Sequence, residues 1–124
     1  MNFVESKKEK SVLVLDIGTS FVKIGLFDLE ANPLKDYQIK FEHWMTRKSV
    51  GTYIFDAETS AELIERGLDE LLNRASNFEI LAVSVDTMAS TILGLDQNNN
   101  PITPVYTYAD TRSYKELSYL INYN

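Results

Sequence analysis

One stretch of the sequence decides the fold: Val12-Leu13-Val14-Leu15-Asp16-Ile17-Gly18-Thr19-Ser20-Phe21-Val22-Lys23-Ile24-Gly25-Leu26-Phe27-Asp28. Its apolar residues predict a strand over 11–17 and a second over 22–28, joined by a turn through Gly18-Thr19-Ser20. Asp16, at the end of the first strand, can hold Mg²⁺ through the water shell of the ion, while amides and hydroxyls of the turn can contact phosphate oxygens. A glycine at position 18 permits close backbone approach and a positive φ. The stretch therefore predicts a nucleotide phosphate site, and the alternative is a simple polar hairpin turn.

The composition is that of an ordinary globular domain. The chain has 124 residues, 44% of them hydrophobic and 24% charged, so we expect one small domain with its own core. A net charge of −6, with no basic cluster beyond Lys7-Lys8-Glu9-Lys10, argues against a nucleic-acid partner. Residues 1–10 are expected to form a tail without a signal-peptide core, and no apolar run is long enough to cross a membrane. The lack of cysteine excludes thiolate chemistry and, with these features, favours a cytoplasmic location.

The next segments predict a third strand and a loop. Asn32-Pro33 marks a turn before a strand near 34–41, which gives three consecutive antiparallel strands. Residues 43–55 are largely polar and contain Gly51, so we expect a connecting loop there. Its His43 is the only histidine, and because the sequence shows no partners for it we expect a surface imidazole rather than a ligand or catalytic group.

The middle of the chain predicts a helix followed by a buried strand. A helix fits residues 59–75, with Thr59 and Glu62 in capping-box spacing. Its apolar face is expected to pack on the sheet through Ala61, Ile64, Leu68, Leu71, Leu72 and Ala75. Residues 80–85 are almost continuously apolar, which is typical of a central strand covered on both faces and paired in parallel. Functional sites tend to lie just after such a strand.

The last third predicts a second hairpin and a final helix. Residues 91–105 repeat the Asp-x-x-x-Asn-Pro spacing of the first hairpin, which shared turn chemistry explains. Pro104 indicates that the last strand lies at an edge or ends early. A helix from about Ser113 is expected to turn its apolar side chains inward, namely Leu117, Leu120 and Ile121.

Two motif blocks in this order resemble the amino-terminal domain of FGGY-type carbohydrate kinases. The first block is Asp16-Ile17-Gly18-Thr19-Ser20 with Lys23, which by itself resembles the phosphate loop of the whole actin-like ATPase superfamily. The second block comprises Ala82-Val83-Ser84-Val85-Asp86, Leu95-Asp96, Asn100-Pro101 and Tyr106-Thr107-Tyr108-Ala109-Asp110-Thr111-Arg112. The resemblance covers about residues 11–113. It implies an RNase H-like α/β fold whose mixed sheet leads from three antiparallel strands into a parallel one, with residues 11–124 as the first part of the kinase domain.

The resemblance also implies an activity and a cofactor site. Members of the family transfer the γ-phosphoryl group of ATP to a hydroxyl of a sugar, polyol or sugar acid, with Mg²⁺ as a second cofactor. By resemblance, Asp16 would organise Mg²⁺ while Gly18, Thr19 and Ser20 contact phosphate oxygens. Lys23 would face the phosphates, and its alternative is a solvated lysine on an edge strand.

The substrate residues implied by the resemblance are Ala89, Ser90, Tyr108 and Asp110. Asp110 would accept hydrogen bonds from substrate hydroxyls, and Tyr108 stands where the family usually has a Trp that packs on the carbon skeleton. The pair Ala89-Ser90 replaces the Arg-Glu of glycerol kinases and the Met-His of xylulose kinases. This difference argues against glycerol, weakens the case for D-xylulose and favours a longer or acidic substrate such as gluconate. The alternative for Asp110-Thr111-Arg112 is a helix cap with a local ion pair.

The resemblance further implies parts that these residues do not supply. They are a catalytic base expected beyond Asn124, a second phosphate loop and an adenosine pocket. We therefore expect a fragment that is inactive alone, with the C-terminal lobe of the same protein as its partner and a homodimer as a further option. The rival interpretations are a non-catalytic actin-like binding module, an inactive truncated domain, and another actin-like ATPase such as a chaperone or a sugar-responsive repressor, which would lack the motif at Tyr108 to Arg112.

Overall fold

The computed structural model describes residues 7–43, 45–47 and 49–123. In chain order the elements are β1 (Glu9–Ile17), β2 (Phe21–Phe27), β3 (Pro33–Glu42), β4 (Ile54–Phe55), α1 (Ala57–Arg74), β5 (Phe78–Thr87), β6 (Val105–Tyr106) and α2 (Tyr114–Ile121). The long strands form one sheet in the order β3-β2-β1-β5, and β4 pairs with β6 in a second, two-stranded sheet. Neither helix of this described part is long and apolar enough to span a bilayer.

The main sheet has the predicted topology. β1 pairs antiparallel with β2, β2 pairs antiparallel with β3, and β5 lies parallel to β1 on its other side. The first strand begins at Glu9, two residues before its predicted start, because its register with β5 extends back to Phe78. Residues 1–6 of the predicted tail lie outside the described residues. The predicted fold class, a mixed sheet in which three antiparallel strands lead into a parallel one, is confirmed.

Helix α1 is where the sequence predicts a helix, but its cap is different. It begins at Ala57, and Asp56 is the N-cap, whose Oδ1 accepts a hydrogen bond from the Thr59 backbone N at 2.8 Å. The predicted capping box starting at Thr59 is therefore wrong. A carboxylate immediately before the first turn accepts a hydrogen bond from a backbone amide that has no partner within the helix, and it interacts favourably with the positive end of the helix dipole.

The core lies between α1 and the antiparallel strands. Val22, Ile24 and Leu26 of β2 are fully buried against Leu71 of α1. Gly67 permits this approach, because a Cβ there would lie 2.5 Å from a Phe41 ring carbon and 2.7 Å from Ile24 Cδ1. The predicted apolar face is only partly confirmed, since two of its members, Ala61 and Leu72, are exposed.

Replacing Gly67 by Ala tests this close packing. In an exposed helix position the change would stabilise by about 1 kcal/mol. Here the methyl group would overpack the core at a cost of about 1–3 kcal/mol, so we expect a net loss of about 1 kcal/mol in urea denaturation. Asn73→Ala, at an exposed position of the same helix, is the control and should stabilise by about 0.5 kcal/mol. A gain for both variants would contradict the packing argument.

Strand β5 differs from the sequence-based expectation. It pairs in parallel as predicted, but it is the edge of the sheet, and Leu81, Val83 and Val85 are 48%, 60% and 60% exposed. The prediction that the described chain covers this strand on both faces is wrong. A continuous apolar run is typical of a strand that is covered on both faces. Helix α1, however, packs on β2 and β3 and not on β5.

The second hairpin keeps its turn but not its strands. The carboxylate of Asp96 accepts hydrogen bonds from the amides of Asn98 and Asn100, just as Asp28 does with Glu30 and Asn32. Only isolated bridges flank this second turn, and β6 is two residues long, as the position of Pro104 suggested.

Two further expectations are corrected in the same region. The segment predicted as a connecting loop contains β4, which pairs with β6. Helix α2 begins where expected, with Ser113 as N-cap, but its apolar residues Leu117, Leu120 and Ile121 are exposed rather than turned inward. Helical spacing identifies an apolar face, whereas tertiary structure decides what covers it.

Candidate functional site

The turn between β1 and β2, residues Gly18–Ser20, carries the predicted phosphate site and is called the phosphate loop below. The Gly18 amide donates to the Phe21 carbonyl at 2.9 Å, which closes the turn. A Cβ at position 18 would lie 3.1 Å from that carbonyl oxygen, so the close backbone approach predicted for Gly18 is confirmed. The expected positive φ is wrong, because among the glycines of the described residues only Gly51 has one.

Asp16 and Lys23 form an ion pair beside the phosphate loop. Lys23 Nζ lies 2.6 Å from Asp16 Oδ2, across the register pair of β1 and β2, and both side chains are partly exposed. The hydroxyls of Thr19 and Ser20 make no hydrogen bond to any described residue. A cation, a carboxylate and two available hydroxyls thus surround one turn.

This donor set fits a magnesium ion that is completed by a bound nucleotide. No three acidic or histidine side chains of the described residues cluster as a metal cage. Mg²⁺ usually takes one or two carboxylates, with waters and substrate phosphates as its other ligands. Asp16 is accessible for that role, and Asp86 of β5 is its register partner on the same edge of the sheet.

The parallel pairing of β1 and β5 brings two distant parts of the sequence to one edge. Ile17 is in register with Thr87, so the phosphate loop and the turn after β5 leave the sheet side by side. Ser90, in that turn, has φ 52°, a left-handed conformation that non-glycine residues rarely adopt. Ala31 and Asn99, in the two hairpin turns, share this conformation with φ 64° each, so it marks a tight turn and does not by itself mark a site.

A cavity of about 440 Å³ opens beside this turn. It is lined by Ser90, Ile92, Tyr106, Thr107, Asp110, Arg112 and Ser113. The backbone pair between Ile92 and Tyr106 joins the turn to β6, and it therefore brings Ser90 and Asp110 to the same cavity. We call it the Asp110 cavity.

Asp110 is the most strongly held ionisable group of the cavity. Arg112 donates to it through Nε and Nη2, the latter at 2.8 Å from Oδ2, and the Tyr53 backbone N donates to the same oxygen at 3.1 Å. These donors, the Arg112 side chain first, lower the pKa of Asp110 to about 2 although burial opposes the shift. The cap alternative is not observed, because Ser113 is the N-cap of α2, whereas the local ion pair is present.

Not all predicted substrate residues meet at this cavity. Tyr108 is 65% exposed, and neither it nor Ala89 belongs to the residues that line the cavity. The aromatic residue there is Tyr106, with the Arg112 guanidinium 5.5 Å from its ring centre. Tyr106 belongs to β6 and pairs with both Ile54 and Ile92, whereas Tyr108 lies beyond the strand, and these long-range pairings have no local sequence signal.

His43 is a buried residue rather than the surface imidazole expected from the sequence. It is 5% exposed, and its ring centre lies 4.4 Å from that of Phe55. Nδ1 lies 2.8 Å from the carbonyl oxygen of Gly18 in the phosphate loop, and Nε2 lies 2.9 Å from Ser60 Oγ of α1. These partners are 25 and 17 residues away, which is why inspection of neighbouring residues misses them.

The sheet topology and the phosphate loop define an RNase H-like domain of the actin-like ATPase type. Comparison with protein families identifies the particular family within this fold class, since the N-terminal domain of the FGGY family of carbohydrate kinases matches residues 11–124. The chain belongs to this family. The family and the fold class are thus both as the sequence motifs predict.

Individual relatives agree with this assignment. The chain is 29% identical to an autoinducer-2 kinase of Escherichia coli over 122 residues, which cover 95% of this chain and 22% of that protein. It is 24% identical to a xylulose kinase of Staphylococcus xylosus over 106 residues, covering 86% of this chain and 22% of the relative. The crystal structure of a xylulose kinase from Rhodospirillum rubrum superposes with a TM-score of 0.83 at 21% identity, over 92% of this chain and 23% of that one. The chain thus spans less than a quarter of the length of these relatives.

Proposed function

We propose that the whole protein carrying this chain is an ATP- and Mg²⁺-dependent kinase that phosphorylates a hydroxyl of a sugar, a polyol or a sugar acid. The observation that carries this proposal is the common edge of β1 and β5. It sets the phosphate loop next to the turn that leads into the Asp110 cavity. Phosphoryl transfer requires a phosphate site and a hydroxyl site held close together, and most of the catalysis is positioning and charge neutralisation.

The phosphate side of the site is assigned to the predicted residues. Asp16 would hold Mg²⁺, and Thr19 and Ser20 would donate to phosphate oxygens, while Gly18, whose amide already donates to the Phe21 carbonyl, would let the phosphate approach the backbone closely. Lys23 pairs with Asp16 in this structure. When nucleotide binds, its ammonium group would turn toward the phosphates and so exchange the Asp16 carboxylate for a phosphate as its anionic partner. Bound Mg·ATP would supply the phosphoryl group and neutralise its charge.

The substrate side is assigned to the Asp110 cavity. Ser90 and Asp110 would bind substrate hydroxyls, with Ala89 leaving space beside them and Tyr108 closing over the substrate from its exposed position. Arg112 Nη1 makes no hydrogen bond with the described residues and can donate to a substrate oxygen. We infer a preference for a sugar acid such as gluconate, because a guanidinium group binds carboxylates well and Ala89 and Ser90 are small.

The general base is expected to come from another part of the protein. Asp110 is the only carboxylate among the lining residues of the cavity, and its pKa of about 2 makes it a weak base near neutral pH. We therefore assign Asp110 to binding and the proton transfer to a residue of the second lobe.

A panel of substrates tests the proposed function. In a coupled assay of ADP release, the whole protein should turn over ATP only with added sugar, and gluconate should outperform D-xylulose, which should outperform glycerol. No turnover with any sugar, polyol or sugar acid would rule the proposal out. A strong preference for glycerol would overturn only the substrate assignment.

A non-catalytic binding module is the second candidate, and the exposed apolar edge of β5 favours it for the isolated chain. The 124 residues by themselves should show no kinase activity, since neither a base nor an adenosine site is assigned within them. Phosphorylation of gluconate by the purified chain, above a no-enzyme control, would show that the base lies among these residues.

A further inference from the structure

His43 contacts both ends of the phosphate loop. Its backbone N donates to the Ser20 carbonyl at 2.9 Å, and its ring Nδ1 lies 2.8 Å from the Gly18 carbonyl. A carbonyl oxygen only accepts hydrogen bonds, so Nδ1 carries a proton and donates it to Gly18. The two carbonyl groups that bracket Thr19 are thereby directed inward, toward His43.

The orientation of the Gly18 carbonyl fixes an amide on the other side of the chain. In a trans peptide the C=O and the following N–H point in opposite directions. With the Gly18 oxygen bound to His43, the Thr19 N–H points away from His43. This amide donates to no acceptor among the described residues, so it is available to an anion.

The other ring nitrogen connects the loop to a helix. His43 Nε2 lies 2.9 Å from Ser60 Oγ, which lies 2.8 Å from the carbonyl of the N-cap residue Asp56, so the one hydroxyl proton of Ser60 serves one of these two contacts at a time. Helix α1 is in turn held in the core by Leu71. The phosphate loop is therefore linked through one buried side chain to the first turn of a well-packed helix.

We propose that His43 is a positioning residue, which fixes the Gly18–Thr19 peptide plane so that the Thr19 N–H faces a nucleotide phosphate. The inference rests on the proposed kinase function and adds a residue that the FGGY motifs quoted above do not contain. Loss of the Nδ1 contact allows the peptide plane to rotate, which removes a phosphate donor without altering the Asp110 cavity.

Two polar substitutions separate the two ring contacts. The amide nitrogen of His43→Asn occupies a position close to Nδ1 and retains the bond to Gly18, whereas that of His43→Gln is close to Nε2 and retains the bond to Ser60. Both variants lose the ring packing on Phe55, so they are matched controls for each other. Ser60→Ala removes the helix contact alone.

The experiment measures steady-state kinetics of the whole protein and hydrogen exchange of the Gly18 amide. We expect His43→Gln to raise the KM for ATP by about 10- to 100-fold while the KM for the sugar is unchanged. We expect His43→Asn and Ser60→Ala, which both retain the contact with Gly18, to remain within about three-fold of the wild type. The Gly18 amide donates to the Phe21 carbonyl, which closes the turn, so it exchanges faster when the turn loosens. Hydrogen exchange at Gly18 should therefore accelerate in the Gln variant and not in the Asn variant.

The two readouts distinguish failure of this inference from failure of the proposed function. Equal effects of the Asn and Gln variants on Gly18 exchange, or a sugar KM that rises with that for ATP, would overturn the positioning role. Faster Gly18 exchange in the Gln variant, in a protein that turns over no sugar, would support the His43 contact and reject the kinase assignment. An unfolded Gln variant beside a folded Asn variant would reduce His43 to a structural residue and overturn the positioning role.

Discussion

Asp16→Ala in the whole protein should lower kcat by about 100- to 1,000-fold, the effect of removing one preorganised electrostatic group. The KM for the sugar should change little, because Asp16 lies outside the set of residues that line the Asp110 cavity. The loss is expected in kcat because the charge on the transferred phosphoryl group is neutralised during transfer rather than on sugar binding. Steady-state kinetics with ATP and sugar varied separately measure both quantities.

The same substitution should have a small effect on the fold. The Asp16–Lys23 pair is partly exposed, and such pairs contribute at most about 1 kcal/mol. Asp36→Ala removes an exposed carboxylate of β3 and should leave kcat unchanged. A rise in sugar KM as large as the fall in kcat would contradict the assignment of Asp16 to the phosphate side.

Asp110→Asn should weaken substrate binding by about 1.5–3 kcal/mol, or about 10- to 100-fold in Kd, the range for hydrogen bonds to a charged group. The Asn oxygen can still accept from the Tyr53 amide, so the segment keeps its contact with the chain before β4. ATP binding should barely change. Titration calorimetry with sugar and with ATP separates the two effects.

Asp96→Asn is the matched control, since Asp96 organises an exposed turn that lies away from the cavity lining. It should leave the Kd for the sugar unchanged. If Asp96→Asn lost as much sugar affinity as Asp110→Asn, or if neither variant lost any, the assignment of Asp110 to substrate binding would be wrong. Asp110 would then only be the structural partner of Arg112.

The stability of the Asp110 variant should depend on pH in a defined direction. The folded state lowers the pKa of Asp110 from 3.8 to about 2, so its ionised form stabilises the fold above pH 4. That contribution is lost as the pH falls from about 4 to 2, where wild type and Asp110→Asn should converge. Urea denaturation at pH 7 and pH 3 tests the sign, and a gap that widens on acidification would contradict it.

Apolar runs and turn chemistry in the sequence were sufficient for the three antiparallel strands of the main sheet. The apolar run before Asp16, the Gly18-Thr19-Ser20 turn and the Asn32-Pro33 turn locate β1, β2 and β3 to within two residues. Local signals suffice here because an antiparallel hairpin is built from neighbouring residues. The same holds for the phosphate loop, whose Asp16 and Lys23 are cross-strand partners.

The substrate side required tertiary structure. The sequence motif includes Asp110 and Arg112, but Tyr106 rather than Tyr108 lines the cavity, because Tyr106 pairs with Ile54 and Ile92. The apolar residues of β5 and α2 also show a difference between what the sequence predicts and what the structure has, because they are exposed. Their pattern shows that they need a partner surface, and the described residues do not provide it.

By itself, the sequence determined the family, the antiparallel order of β1, β2 and β3 and the position of the Gly18–Ser20 turn, because each depends on sequence motifs or on contacts between near neighbours in the chain. The tertiary structure alone decided that His43 is buried between the phosphate loop and Ser60, and that the Tyr53 amide donates to Asp110. Both arrangements join segments 17 to 57 residues apart, so the residues near His43 or Asp110 in the sequence carry no signal for them.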